Sequence, residues 1–154
     1  MLTSSKGNQT NVVVKVLQIV DGATIVVDLE GKEQTIKYAM VEPPNKSDKA
    51  SSDHSKRYNE TLINQSNGNV QLILDAAVKS QLKNPGVLVA YVLLSNGKVV
   101  NEEMIRSGLA RVSDEIVTDI KKESKDMAQA IKGTLKEIEN EAKQELRGMW
   151  KSKK

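Results

Sequence analysis

The chain has 154 residues and a formal net charge of +3, with aromatic residues at 3% and neither phenylalanine nor cysteine. That length fits one domain with its own core, built here from Val, Ile, Leu, Met and Ala. The missing cysteines exclude disulfides, thiolate metal sites and cysteine nucleophiles. Base stacking on exposed aromatics has only Tyr38, Tyr58, Tyr91 and Trp150 to draw on.

The mild positive charge is compatible with a polyanion partner without demanding one. No run approaches the roughly 18 apolar residues of a membrane span. The polar start MLTSSKGNQT lacks the charged-then-apolar build of a signal peptide. The compartment stays open between the cytoplasm and secretion with the leader removed.

Residues 1–11 are polar and read as a flexible tail. Three Val- and Ile-rich runs follow, at 12–20, 23–29 and 33–41, separated by the hairpin breaks DG and EGK. In the third, Ile36, Tyr38 and Met40 alternate with Thr35, Lys37 and Ala39, which predicts two opposite faces. Residues 42–55 read as a loop, because Pro43 and Pro44 remove two backbone donors and stop the strand. A helix follows, capped by Ser51 or Ser52 and closed by Asn67-Gly68. Residues 70–74 form a fourth strand, 75–86 a loop, and 87–94 a fifth. SNGK predicts a type I′ turn into a short strand VV. Asn101 is placed as the N-cap of a short helix that Gly108 ends.

From 114 to 150, apolar residues recur mostly every three or four positions. That spacing predicts one amphipathic helix, or two broken near Gly133. A barrel at 12–112, this helix, and a basic tail at 151–154 make one domain over 12–150. The expected class is α+β, mainly β: a five-stranded barrel with helices.

Several blocks then resemble the staphylococcal-nuclease-like (thermonuclease) family: IVDGATIVVDLEGKEQTIKYAMVEPP, VAYVLLSNGKVVNEEMIRSGLARV and AKQELRGMW. They stand in the family's order across residues 12–150. The resemblance implies an OB-type barrel and Ca²⁺-dependent cleavage of DNA and RNA phosphodiesters. Such chemistry needs oxygen ligands for a hard cation, a proton acceptor for water and arginine forks on the phosphoryl oxygens.

Position by position, the resemblance puts the first metal carboxylate at Ala23, whose methyl group binds no Ca²⁺. It puts the first phosphate arginine at Lys37, which keeps charge but loses the planar fork. The second metal carboxylate falls on Glu42, and the carbonyl ligand on Pro43. The catalytic base falls on Asn45, which is no base. The second arginine falls near Val87, with Lys83 the nearest cation. Each such loss costs a factor of about 10² to 10⁴ in rate, without multiplying fully.

The catalytic set is therefore degenerate, and the leading expectation is a nucleic-acid- or protein-binding module that needs no cofactor. One alternative is a divergent metal-dependent nuclease, the case in which Ca²⁺ would be needed. Asp21, Glu42 and Asp28 are then candidate ligands, read otherwise as solvated turn carboxylates, and His54 is a conceivable base, read otherwise as exposed. Lys37, Lys46, Lys49, Lys56 and Arg57 are candidates for a phosphate face toward single-stranded DNA or RNA. A further alternative is an assembly module, with Met127, Ile131, Leu135 and Ile138 of the long helix meeting a protein partner or a second copy. Trp150 is expected to anchor the end of that helix.

Overall fold

The computed structural model describes residues 2–4, 9–75, 87–113 and 122–151. The strands are β1 (Leu2–Ser4), β2 (Gln9–Asp21), β3 (Thr24–Leu29), β4 (Lys32–Tyr38), β5 (Val41–Glu42), β6 (Asn69–Asp75), β7 (Val87–Leu93) and β8 (Arg111–Val112). The helices are α1 (Lys49–Asn64), α2 (Val100–Arg106) and α3 (Lys122–Gln144), followed by a 3-10 turn, Gly148–Trp150.

Strands β2, β3 and β4 pair antiparallel in succession. β4 runs parallel to β7, β7 antiparallel to β6, and β6 returns to β2. The result is the expected closed five-stranded barrel. Closure rests on the length of β2, which serves β6 with Gln9–Lys15 and β3 with Lys15–Asp21. Bulges at Val16/Gln18 and Ile19/Asp21 let one strand bend between two neighbours. β1 adds to β2, within the stretch whose composition reads as a tail. Residues 76–86, expected as a loop, and 114–121, expected as the start of the long helix, lie outside the described residues.

Alternation puts Val12, Val14, Ile25, Val27, Ile36, Val70, Leu72, Ala90 and Val92 inside the barrel. Leu62 and Ile63 of α1, Met104 and Ile105 of α2 and Leu135 of α3 complete the same core. The hairpin at Glu30-Gly31 has both residues at positive φ, 55° and 87°, as a two-residue type I′ turn requires.

Several local expectations are corrected. β4 stops at Tyr38 because Met40 adopts φ 61°, which breaks the alternation and buries Ala39 beside Tyr38. α1 begins at Lys49, inside the expected loop, because the Asp48 carboxylate accepts from Ser51 N–H at 3.2 Å. Neither Ser51 nor Ser52 is the cap. In SNGK only Gly97 has positive φ, so the turn is not type I′. The expected strand VV reduces to a Leu93–Val99 bridge, and Val100 opens α2. Gly133 does not interrupt α3.

Asn101 is not a cap either. It lies in the first turn of α2 with its side chain buried. Its Oδ1 accepts from Val92 N–H at 2.9 Å, and its Nδ2 donates to the Ala39 and Ala90 carbonyls at 3.0 and 3.3 Å. A second buried link joins α1 to the β2–β3 turn. Tyr38 donates to Asn59 Oδ1 at 2.6 Å, and Asn59 Nδ2 donates to the Asp21 carbonyl at 2.8 Å. Ser55 Oγ donates to the Leu109 carbonyl at 2.7 Å. A Cβ added at Gly22 would lie 1.8 Å from that Oγ, so only glycine admits the helix this close.

Asn101→Ala removes the side-chain partner of the Val92 N–H and the Ala39 carbonyl, while the Ala90 carbonyl keeps the Ala39 N–H at 2.8 Å, and is expected to lower the unfolding free energy by about 2–3 kcal/mol. Urea denaturation reads this directly, and a loss under roughly 1 kcal/mol would contradict the role given to the amide. Burial pushes the Tyr38 phenol far above its usual range; the Asn59 hydrogen bond opposes the shift and the Asp21 carboxylate adds to it. The unfolded phenol ionises near about 10, so this contribution is complete below that pH and lost as pH rises beyond it. Wild-type stability should therefore fall above about pH 10. Tyr38→Phe should be less stable at neutral pH yet show a shallower alkaline decline; parallel curves would count against it.

Candidate functional site

The site region lies where β3, β4 and β7 run side by side. The register sets Thr24 opposite Lys37 and Lys37 beside Val89, with Thr35 beside Val87 one step along. Lys37 is exposed on the outer face, and Val87 is half-buried next to it. The region thus presents a point charge between Thr24 on one side and Val89 on the other. Lys83 lies outside the described residues.

Ala23 is fully buried and shares the inward face with Ile25 and Val27. The turn before it is closed internally: the Asp21 carboxylate accepts from Ala23 N–H at 2.7 Å, and the Ala23 carbonyl accepts from Tyr38 N–H at 2.8 Å. Asp28 sits at the far end of β3 and accepts from Gly31 N–H at 2.9 Å. Asp21 is the Cα partner of Thr24 across the turn, so four residues of strand rise put Asp28 roughly 13 Å from it. Asp21, Asp28 and Glu42 therefore do not converge, and no group of three or more His, Asp or Glu able to hold a metal exists among the described residues.

Glu42 has a different partner. After the Met40 bend, Val41 and Glu42 form a two-rung antiparallel ladder with Val112 and Arg111. Arg111 stands directly across from Glu42, with Nη2 to Oε2 at 3.7 Å. Both side chains are about half exposed, 43% and 56%, so the pair stabilises the fold by no more than about 1 kcal/mol. The Arg111 Nε is buried without an acceptor among the described residues. Sequence reasoning missed Arg111, since RV after Gly108 carries no sign of its cross-strand partner.

Pro43 is half-buried and Pro44 buried. Asn45 is exposed and shapes the entry to α1, its Oδ1 accepting from Ser47 N–H at 2.9 Å and its carbonyl from Asp48 N–H at 2.9 Å. His54, Lys46, Lys49, Lys56 and Arg57 are all exposed. On α1 the cations alternate with Asp53 and Glu60, which gives a mixed face rather than a continuous basic stripe. Lys37 stands on β4, between β3 and β7.

The stripe of α3 is used within the chain. Leu135 is buried in the core, and Ile131 and Ile138 pack against it. The side chain of Met127 lies outside the described residues. The buried Glu139 accepts from Val112 N–H at 2.8 Å and thereby fastens α3 to β8, the strand that carries Arg111. Trp150 is half-buried, with Lys143 Nζ 4.8 Å from its ring centre.

Three curated proteins are similar to this chain. Endonuclease YncB of Bacillus subtilis (strain 168) is 36% identical over 115 residues, 71% of this chain and 52% of that protein. The SPbeta prophage-derived endonuclease YokF of the same strain is 36% identical over 100 residues, 61% of this chain and 32% of that protein. Thermonuclease of Staphylococcus hyicus is 34% identical over 106 residues, 63% of this chain and 57% of that protein. The chain thus spans between about a third and just over half the length of these relatives. Residues 35–152 match the family model described as staphylococcal nuclease homologue. That match runs from inside β4 through α3, well over half the chain, and the protein belongs to the staphylococcal nuclease family.

Proposed function

We propose that this chain binds nucleic acid through its phosphodiester backbone, at the barrel face around Lys37, without the Ca²⁺-dependent cleavage implied by the family resemblance. The observation that carries this reading is Ala23, a buried methyl group where that chemistry needs a carboxylate.

The remaining donors fit a Ca²⁺ ion poorly. Calcium takes six to eight oxygens, with carboxylates among them. Here Glu42 faces Arg111, the Asp21 carboxylate accepts from the backbone, and Asn45 has no basic oxygen. Lys37 supplies a strongly hydrated point charge that suits a phosphate oxygen. Base stacking has little to work with: Tyr38 is buried, and Tyr58 and Tyr91 are half-buried. Binding of this kind is sequence-tolerant and weakens steeply with salt.

A second reading is a divergent phosphodiesterase that uses Glu42 and Lys37. It is supported by the relatives, two named as endonucleases and one as thermonuclease, at 34–36% identity.

One experiment separates the two. Purified protein is incubated with single-stranded DNA and with RNA, in Ca²⁺ and in EDTA, and affinity is measured in EDTA at two salt concentrations. The expected result is salt-sensitive binding, weakened roughly 5- to 10-fold by Lys37→Glu, and no Ca²⁺-dependent cutting. Cleavage that needs Ca²⁺ and disappears in Glu42→Ala would establish the second reading instead. Absence of binding to either polymer would remove the first.

A further inference from the structure

The contact between Glu42 and Arg111 has a consequence for which ions this region accepts. Glu42 is the one carboxylate left at the positions where the family resemblance implies metal ligands. It is also the residue that the β5–β8 ladder sets against a guanidinium. The backbone imposes this meeting, because Glu42 and Arg111 are Cα partners in the ladder. The ladder is held on both sides. Ser113 N–H donates to the Met40 carbonyl at 2.9 Å, and Glu139 accepts from Val112 N–H at 2.8 Å. Arg111 thus emerges from a fixed strand, and its buried Nε has no acceptor among the described residues.

We propose that Arg111 is the resident counter-cation of Glu42 and a determinant of the site's ion preference. Its guanidinium, 3.7 Å from the Glu42 carboxylate, competes with a divalent cation for that carboxylate and repels the cation, so the region disfavours a metal. The inference rests on the reading of this face as a metal-free phosphate-binding surface, and its test uses no nucleic acid, so the two fail separately.

Charge and geometry both oppose a cation here. A guanidinium is always charged and directs its donors in a plane toward carboxylate oxygens. A divalent ion approaching Glu42 meets one nearby positive charge and loses the attraction of a carboxylate already paired. Solvent exposure of both partners keeps the effect moderate. Neutralising Arg111 therefore releases the carboxylate without emptying a buried site.

Calorimetric titration of the full chain with CaCl₂ tests this in wild type, Arg111→Gln and Arg111→Gln/Glu42→Gln. Arg111→Gln is expected to bind Ca²⁺ about 2- to 5-fold more tightly than wild type, and the double variant to lose that gain. Arg111→Lys, which keeps the charge, is expected to behave as wild type. Should the glutamine variant not fold, Arg111→Met keeps the aliphatic stem and must show the same gain. No gain on removing the charge, or a gain that survives Glu42→Gln, would overturn the proposal. If nucleic-acid binding failed while the Ca²⁺ gain appeared, the ligand reading would fall and the ion-exclusion role of Arg111 would stand.

Discussion

The buried carboxamide of Asn101 is the constraint on which the placement of the site depends. β4 and β7 are parallel, so no hairpin joins them and nothing local fixes where their pairing ends. Asn101 marks that end. It takes the Val92 N–H of β7 and gives its own protons to the carbonyls of Ala39 and Ala90. One side chain thus joins β7, the exit of β4 and the first turn of α2. Each hydrogen bond contributes only about 1 kcal/mol net, but leaving such groups buried and unpaired costs more. The chain that leaves this junction has little freedom in where it goes next.

Two features follow from that junction and produce the site. Met40 takes a left-handed backbone conformation, φ 61°, which for a non-glycine residue is held only by surrounding contacts. The bend carries Val41 and Glu42 out of the barrel sheet toward β8. At the other end, Gly108 ends α2 with φ 77° and lies against Gly148, where an added Cβ would meet the Arg147 carbonyl at 2.1 Å. Met149 N–H donates to the Gly108 carbonyl at 2.8 Å, so the C-terminal segment locks the start of β8. Glu139 then fixes Val112 from α3. Glu42 and Arg111 meet because three separate closures leave them opposite one another.

The barrel was legible in the sequence because alternation of Val and Ile with polar residues is a one-dimensional signal of a half-buried strand. The long helix was legible for the same reason. Periodicity states which face of α3 is apolar but not what covers it, and Leu135, Ile131 and Ile138 turned out to meet the chain's own core. Asn101 misled for a physical reason: an Asn before two acidic residues is also what a helix cap looks like. Only the β7 backbone, brought near by folding, distinguishes the two roles. Arg111 was invisible because cross-strand partners are set by register between distant segments. Ala23, Lys37 and Asn45 are read from the sequence as departures from a familiar pattern, while the internal closure of Asp21 onto Ala23 N–H has no sequence signal.

An arginine and a calcium ion can both neutralise a carboxylate, yet they leave different chemistry behind. A bound metal keeps coordination positions open for a phosphate oxygen and for water, polarising the one and acidifying the other. A guanidinium offers hydrogen-bond donors only, with neither function. On the proposed reading, Arg111 against Glu42 withholds that carboxylate from a metal able to activate water. Asn45 points the same way, since an amide that caps a turn at 2.9 Å holds no proton-accepting carboxylate where the family resemblance would put one. On that reading the fold keeps a phosphate-facing surface without hydrolysis because the two properties rest on different atoms. Lys37 puts positive charge on the barrel wall, whereas the family resemblance implies converging oxygens for hydrolysis at Ala23, Glu42 and Asn45, of which only Glu42 carries a carboxylate.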